Sequence, residues 1–243
     1  MAFDIGHEHR DVGGGWLRPA VFGAMDGLLS NSSLIAGLAG GIAASNKLTQ
    51  GTPVDPRSTL ILAGFAGLVG GAFSMGAGEY ISVATQSESI MAEIEAERLE
   101  LIANPDGELK ELSHIYQAKG LTPELAHEVA TALSQNLDQA LAVHVQEEMG
   151  VSVEGLPSAW VAGISSFIAF SLGALVPLLP YLFGATSTVP AVALTAISLF
   201  LAGAVVSRVT TKSWWFNGSR QLMVGAAAGG ITYILGHLVG GVV

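Results

Sequence analysis

The chain has 243 residues and a formal net charge of −10, and 50% of its residues are hydrophobic while only 12% are charged. Soluble domains carry about 25% charged residues, so this composition predicts an integral membrane protein. The sequence contains no cysteine, which excludes disulfides and thiolate metal sites. The negative net charge also disfavours nucleic acid as a partner.

Five stretches are apolar and long enough to cross roughly 30 Å of hydrocarbon as helices of about 20 residues. They lie near residues 18–43, 58–78, 158–183, 189–210 and 219–241. A polar insert follows the second stretch, and fourteen of the twenty acidic residues fall within it. The sequence therefore predicts an all-α integral membrane protein with a helical insert between its second and third transmembrane helices. Four segments result: a tail (1–15), helices one and two (16–85), the insert (86–157) and helices three to five (158–243).

The distribution of lysine and arginine predicts the orientation of the chain, because cytoplasmic loops carry an excess of both. With the N-terminus inside, only Lys47 and Arg57 lie on the outer side. The N-terminus and the acidic insert are therefore expected in the cytosol. The basic residues then on the inner side are Arg10, Arg18, Arg98, Lys110, Lys119, Arg208, Lys212 and Arg220.

The insert is predicted to be helical. No proline interrupts residues 58–104, so the second membrane helix is expected to continue into the insert until the turn residues 104–107. A second insert helix is predicted over 107–119, and Thr122-Pro123 is typical of the start of a third. Asn136 with Gln139 predicts a fourth helix, which ends at Gly150.

The first insert helix carries a face of unpaired carboxylates. At 100° per residue, Glu93, Glu97 and Glu100 fall within about 60° of one another, and none has a basic residue three or four positions away. Like charges at these spacings cost a few tenths of a kcal/mol per pair. Glu108 and Glu111 share a second face beyond the turn, so the two faces can converge if the helices form a hairpin.

His144 and Glu148 lie at i, i+4 on the fourth insert helix. Clustered carboxylates with an imidazole suit a divalent cation such as Fe²⁺, Mn²⁺ or Mg²⁺. A solvated acidic face explains the spacing equally well. The absence of basic partners favours the metal site.

Two membrane helices carry polar residues that suggest function. Asp26 lies well inside the first span, where a carboxylate is costly unless it faces a cavity or a partner. Ser30, Asn31 or Ser33 could instead hold it at a helix break. Met75 and Glu79 share one face of the second span at i, i+4. Methionine sulfur can bind a metal, although a packing role for Met75 and an interfacial charge at Glu79 are the alternatives.

Small residues recur at four-residue spacing in the membrane helices, a pattern that predicts close helix contact. The pairs are Gly23 with Gly27, Gly37 with Gly41, Gly67 with Gly71 and Gly225 with Gly229.

These segments together resemble the vacuolar iron transporter family in its compact bacterial-type form. The resemblance extends from about residue 16 to 241. It is carried by "FGAMDGLLSNSSLIAGLAGG", "SMGAGEYISVATQSE", the glutamate-rich insert, "GALVPLLPYLF" and "SRQLMVGAAAGGITYILG".

The resemblance implies a homodimer of five-helix chains with the ion pathway between the two first helices. It implies exchange of Fe²⁺, and often Mn²⁺, for protons, which moves metal out of the cytosol, with no prosthetic group. Asp26 and Met75 match pathway residues of the family. In a bacterium the host membrane would be the plasma (inner) membrane. The matching ligands of the insert are Glu97, Glu100, Glu108, Glu111 and Glu148.

Two positions depart from the family pattern. Some eukaryotic members carry a further acid in the second span, where this chain has Gly67. A methionine pair before the last insert glutamate is replaced by His144 and Val145, which exchanges soft sulfur for imidazole.

The sequence therefore predicts a proton-coupled metal transporter and antiporter in iron homeostasis. The alternative is a membrane-bound metal sensor or buffer that moves no ion. An enzyme is not expected, because the chain lacks a nucleophile–base motif. Expected partners are membrane lipid, protons and divalent metal ions.

Overall fold

A computed structural model describes residues 15–48, 56–152, 155–208 and 211–242. The chain forms two compact units. The membrane unit comprises Met1–Ile81 and Ala159–Val243, and the insert unit comprises Ser82–Ser158. The predicted tail lies outside the described residues except for Gly15.

The membrane unit contains five helices that are long and apolar enough, among the described residues, to cross a membrane. The prediction of five spans is therefore confirmed. They are α1 (Leu17–Leu48), the first part of α2 (Pro56–Ala103), α6 (Ala159–Leu175) with its extension, α8 (Val189–Val206) and α9 (Trp214–Gly240).

Three predicted span boundaries differ from the ends of the helices. α1 continues to Leu48 rather than ending near 43. α8 ends at Val206 rather than at 210, and α9 begins at Trp214 rather than at 219. Ser213 caps α9, since its side chain accepts a hydrogen bond from the amide of Phe216 at 3.4 Å. The polar Asn217 obscured this start in the sequence, yet the structure buries it.

The third span is one continuous helical stretch in which the regular α-helix is interrupted. α6 is followed by a 3₁₀ turn (Val176–Leu178) and a short helix, α7 (Leu179–Leu182). Pro177 and Pro180 lie within this stretch, and each removes a backbone donor from regular helical bonding. At the end of α7 the carbonyl of Tyr181 accepts from the amide of Gly184 at 3.1 Å and from the Arg57 guanidinium at 2.9 Å.

The helix α1 packs against both α6 and α9, and glycines allow the close approach. A Cβ at Gly23 would lie 2.6 Å from the carbonyl oxygen of Ser166 on α6. Gly37 similarly faces Gly236 of α9 backbone to backbone. The prediction of close helix contact is confirmed at these sites, whereas an added Cβ at Gly229 would meet nothing within 4 Å among the described residues.

Replacing Gly23 with alanine is expected to lower the stability of the membrane unit by about 1–3 kcal/mol, because the new methyl group meets backbone that cannot move aside. Thermal unfolding in detergent measures the effect. Gly70→Ala is the matched control, since a Cβ there would meet nothing within 4 Å. Equal midpoints for the two variants would contradict this account of the α1–α6 contact.

The insert unit is helical as predicted. It contains the end of α2, then α3 (Pro105–Ala118), α4 (Pro123–Leu133), α5 (Leu137–His144) and a π-helical turn (Val145–Met149). Its two ends meet where the Ser87 hydroxyl donates to the carbonyl of Pro157 at 3.4 Å.

Side-chain caps fix the starts of the insert helices. Asn104 accepts from the amide of Gly107 and Thr122 from that of Leu125. Asn136 accepts from the amide of Gln139 at 2.8 Å. The cap at Asn104 corrects a prediction. Residues 105–107 form the first turn of α3 and not a separate turn, because proline suits the first helical position.

The core of the insert unit brings α2 against α5. Leu101 of α2 is buried with Leu141 and Val145, and Ile94 and Met149 pack against them. This contact sets the rotation of α2 within the unit, and so decides which of its glutamates face inward.

Candidate metal-binding sites

The insert unit contains a buried cluster of two carboxylates and one imidazole. Glu97 comes from α2, Glu108 from α3 and His144 from the end of α5. Their exposed fractions are 7%, 7% and 0%, and one ligand atom from each lies within 4.8 Å of the others. Charged side chains are almost never so buried unless they are paired or bind a metal. The sequence predicted each of these residues, and the structure brings them together.

One nitrogen of His144 faces both carboxylates of the cluster and also that of Glu148. Its Nδ1 lies 2.8 Å from Oε1 of Glu148, 3.0 Å from Oε1 of Glu97 and 3.8 Å from Oε2 of Glu108. The other ring nitrogen, Nε2, is buried without a hydrogen-bond partner among the described residues. A tautomer with its proton on Nε2 would turn the Nδ1 lone pair towards a cation held by the carboxylates.

The π-helical turn places Glu148 beside His144. Such turns are rare and occur frequently at functional sites. This turn ends at Gly150, which has a φ of 67°, a conformation that glycine adopts without strain. The sequence predicted the end at Gly150 but not the widened turn, since π and α turns share the same composition.

The cluster resists full ionisation in the absence of metal. Burial, as the largest cause, and the neighbouring Glu148 carboxylate together raise the pKa of Glu97 to about 7, although His144 acts to lower it. Burial also raises the pKa of Glu108, with Glu111 adding to the effect. A divalent cation would relieve this penalty, because it stabilises the charged carboxylates.

The remaining predicted glutamates are exposed. Glu100 and Glu111 lie at the rim, close enough for their charges to raise the pKa of Glu108. Glu93 is exposed and is not among the charges that act on either buried carboxyl. Lys119 and Glu147 form an ion pair that the sequence did not predict, since the two residues are far apart along the chain.

The raised pKa of Glu97 predicts how the metal-free protein responds to pH. The folded state holds this proton up to about pH 7, whereas the unfolded state releases it near its ordinary value of 4.5. Because the folded state binds more protons across this window, the contribution of Glu97 to stability is present below pH 4.5 and is lost as the pH rises through 7.

Thermal unfolding of the metal-free chain in chelator, from pH 5 to 8, measures this effect. The stability of Glu97→Gln relative to wild type should rise with pH. Glu95→Gln is the control, since Glu95 is exposed two residues away on the same helix. A difference between Glu97→Gln and wild type that does not change with pH would contradict the assignment.

The membrane unit contains a groove of about 480 Å³ between α1 and α2. Asp26, Met75 and Glu79 all line it, so the structure brings together the three polar or sulfur-bearing residues predicted for the ion pathway. The Asp26 carboxylate is half-buried and accepts a hydrogen bond from the Ser30 hydroxyl at 2.7 Å. Met75 also packs against Phe170 in a small core, so packing and lining are both roles of this side chain.

Asn31 and Gly67 also line the groove. Asn31 is only 2% exposed, and the sequence indicated it only as a possible support for Asp26. A Cβ at Gly67 would lie 2.7 Å from Leu34 Cδ2 and 2.9 Å from Asn31 Oδ1. Glycine therefore keeps this part of the wall open.

Together, five apolar helices and a groove lined by ionisable residues define a multi-pass helical membrane protein. A model of the VIT family matches residues 17–237 of the chain. The chain therefore belongs to the VIT family. Proteins of this family are transporters and not enzymes, so the prediction that the chain is not an enzyme is confirmed.

Relatives named as vacuolar iron transporters agree with this assignment. The chain is 36% identical over 240 residues to a vacuolar iron transporter of Acanthamoeba castellanii, an alignment that covers 96% of this chain and 83% of the relative. It is 28% identical over 233 residues to vacuolar iron transporter 1 of Oryza sativa, with 93% and 88% covered. It is 31% identical over 229 residues to vacuolar iron transporter homolog 5 of the same plant, with 92% and 80% covered.

Proposed function

We propose that the chain transports divalent metal, with Fe²⁺ as its principal substrate and Mn²⁺ as a second, out of the cytosol in exchange for protons. The observation that carries the proposal is the groove of the membrane unit, which Asp26 lines from α1 and Met75 and Glu79 line from α2. Ionisable side chains at membrane depth typically mark ion pathways and proton relays. The relatives named as iron transporters support iron as the cargo.

In this mechanism the insert unit captures metal on the cytosolic side. Glu97, Glu108 and His144 are the buried ligands, and Glu148 completes the set. Carboxylate oxygen with imidazole nitrogen suits Fe²⁺ and the neighbouring divalent transition metals. The exposed Glu93, Glu100 and Glu111 add negative charge around the cluster and attract cations to it.

The groove then carries the ion across the membrane. Glu79 and Met75 would receive the ion first, and Asp26 would hold the metal in one state and a proton in the other. The same carboxylate cannot bind both at once, so alternation at Asp26 would couple the two fluxes. The Ser30 hydroxyl, which donates to Asp26, would orient the carboxylate in its charged state.

The assembly that fits this mechanism is a homodimer with the N-terminus and the insert in the cytosol. The distribution of basic residues supports the orientation. The family resemblance supports a dimer in which two copies of α1 face one another, so that each copy contributes an Asp26.

Metal uptake into proteoliposomes tests the proposal. Vesicles with reconstituted protein should accumulate Fe²⁺, kept reduced, faster than protein-free vesicles, and a Mn²⁺ series should show a weaker flux. A metal sensor or buffer would bind the ions in detergent and move none. Binding without flux would therefore replace the transporter with that alternative.

A further inference from the structure

Asn31 is the buried polar residue of the groove that the mechanism above does not use. It lies on α1 five residues beyond Asp26, about 7.5 Å further along the helix axis. Its side chain is 2% exposed. Polar groups within a membrane are costly unless they are satisfied, so a retained one calls for an explanation.

The orientation of the Asn31 amide is fixed by a hydrogen bond to α6. The Nδ2 group donates to the carbonyl oxygen of Ala174 on α6 at 2.6 Å. Because a carbonyl oxygen can only accept, the amide nitrogen must face Ala174 and the oxygen must point away from it. The atom left over is Oδ1, which is buried without a hydrogen-bond partner among the described residues.

Gly67 stands beside this unpaired oxygen on the facing wall. An added Cβ would lie 2.9 Å from Oδ1, closer than ordinary van der Waals contact. The side chain of Leu34 also reaches Gly67, but it is 44% exposed and is free to move aside. The Asn31 side chain is held by its hydrogen bond to Ala174 and is therefore not free to move aside.

We propose that Oδ1 of Asn31 is a neutral oxygen ligand for the metal ion in the groove, about 1.4 helical turns beyond Asp26. An amide oxygen is a hard ligand of the kind that divalent cations accept. It cannot bind a proton at physiological pH, so it contacts the metal without competing for the counter-ion. This inference rests on the proposed transport function and adds a residue that determines metal affinity.

Two variants test the inference in the full-length chain in proteoliposomes. Asn31→Leu removes the oxygen at similar volume, and Gly67→Ala leaves Asn31 in place but covers its oxygen with a methyl group. Each should raise the KM for Fe²⁺ on the order of tenfold, as loss of a supporting metal contact does. The number of protons exchanged per metal ion should not change. Gly70→Ala is the control, with the same chemical change on the same helix and nothing within 4 Å of the new methyl group.

The readouts separate a ligand from a merely structural residue. Misfolding would lower the maximal flux through loss of active protein while the KM of the remainder stayed constant. If Asn31→Leu does not fold, Gly67→Ala decides the question. Wild-type KM in a folded Gly67→Ala protein would overturn the inference and leave the transport function standing. Wild-type vesicles that move no metal would overturn both.

Discussion

Asp26→Asn is expected to abolish metal flux while leaving metal binding by the insert unit intact. The substitution keeps the size of the side chain and its capacity to accept from Ser30, so packing around the groove is preserved. It removes the negative charge that would bind the metal and the site that would take up the proton. Flux of Fe²⁺ into proteoliposomes should fall to the level of protein-free vesicles.

The control for Asp26→Asn is Asp138→Asn, the same chemical change at an exposed position of α5. This variant should transport at the wild-type rate. Titration with metal in detergent should give the same affinity for all three proteins. Undiminished flux through Asp26→Asn would rule out the proposed role of the carboxylate.

Glu97→Gln is expected to weaken metal binding by the insert unit by at least about tenfold, the size of loss typical when even a supporting group of a metal site is removed. The amide keeps one oxygen but carries no charge, and the buried cluster loses one of its two most enclosed carboxylates. The same change should stabilise the metal-free protein near neutral pH, because burial disfavours the charged form of Glu97.

Weaker metal binding combined with higher stability of the metal-free protein would distinguish loss of a metal ligand from general damage to the fold. Calorimetric titration with Mn²⁺ or Co²⁺ measures the affinity, and thermal unfolding in chelator measures the stability. Glu95→Gln removes an exposed carboxylate from the same helix and should change neither. A Glu97→Gln protein that binds metal as tightly as wild type would show that the buried cluster is not the capture site.

The membrane helices could be predicted because a long apolar run is a property of composition. The positions at which these helices are interrupted or begin depend on finer features of the sequence. Pro177 and Pro180 produce a 3₁₀ turn inside the third span that hydropathy cannot detect. Ser213 starts α9 ahead of the apolar run, because a capping hydroxyl and not hydrophobicity determines where a helix begins.

The insert cluster could be predicted only in part. Helical spacing placed Glu93, Glu97 and Glu100 on one face, but a face does not specify which member is buried. Packing of Leu101 against α5 turns Glu97 inward and leaves the other two exposed. That rotation depends on contacts between residues far apart in the chain, which periodicity does not encode.

The residues that line the groove could likewise be predicted from the sequence only in part. Asp26 was identifiable as a charged residue in an apolar stretch, whereas Asn31 resembled the serines around it. Its importance comes from a hydrogen bond to Ala174 and from the missing side chain at Gly67. Both are properties of the packed helices.

The proposed exchange of a divalent metal for protons is tested most directly by one measurement. Proteoliposomes with an acidic lumen should be supplied with external Fe²⁺ while luminal metal and luminal pH are followed together. Protons leaving down their gradient should drive metal inward, so luminal iron and luminal pH should rise together, and a protonophore should abolish the accumulation. Vesicles that take up no metal under any imposed pH gradient would contradict the account.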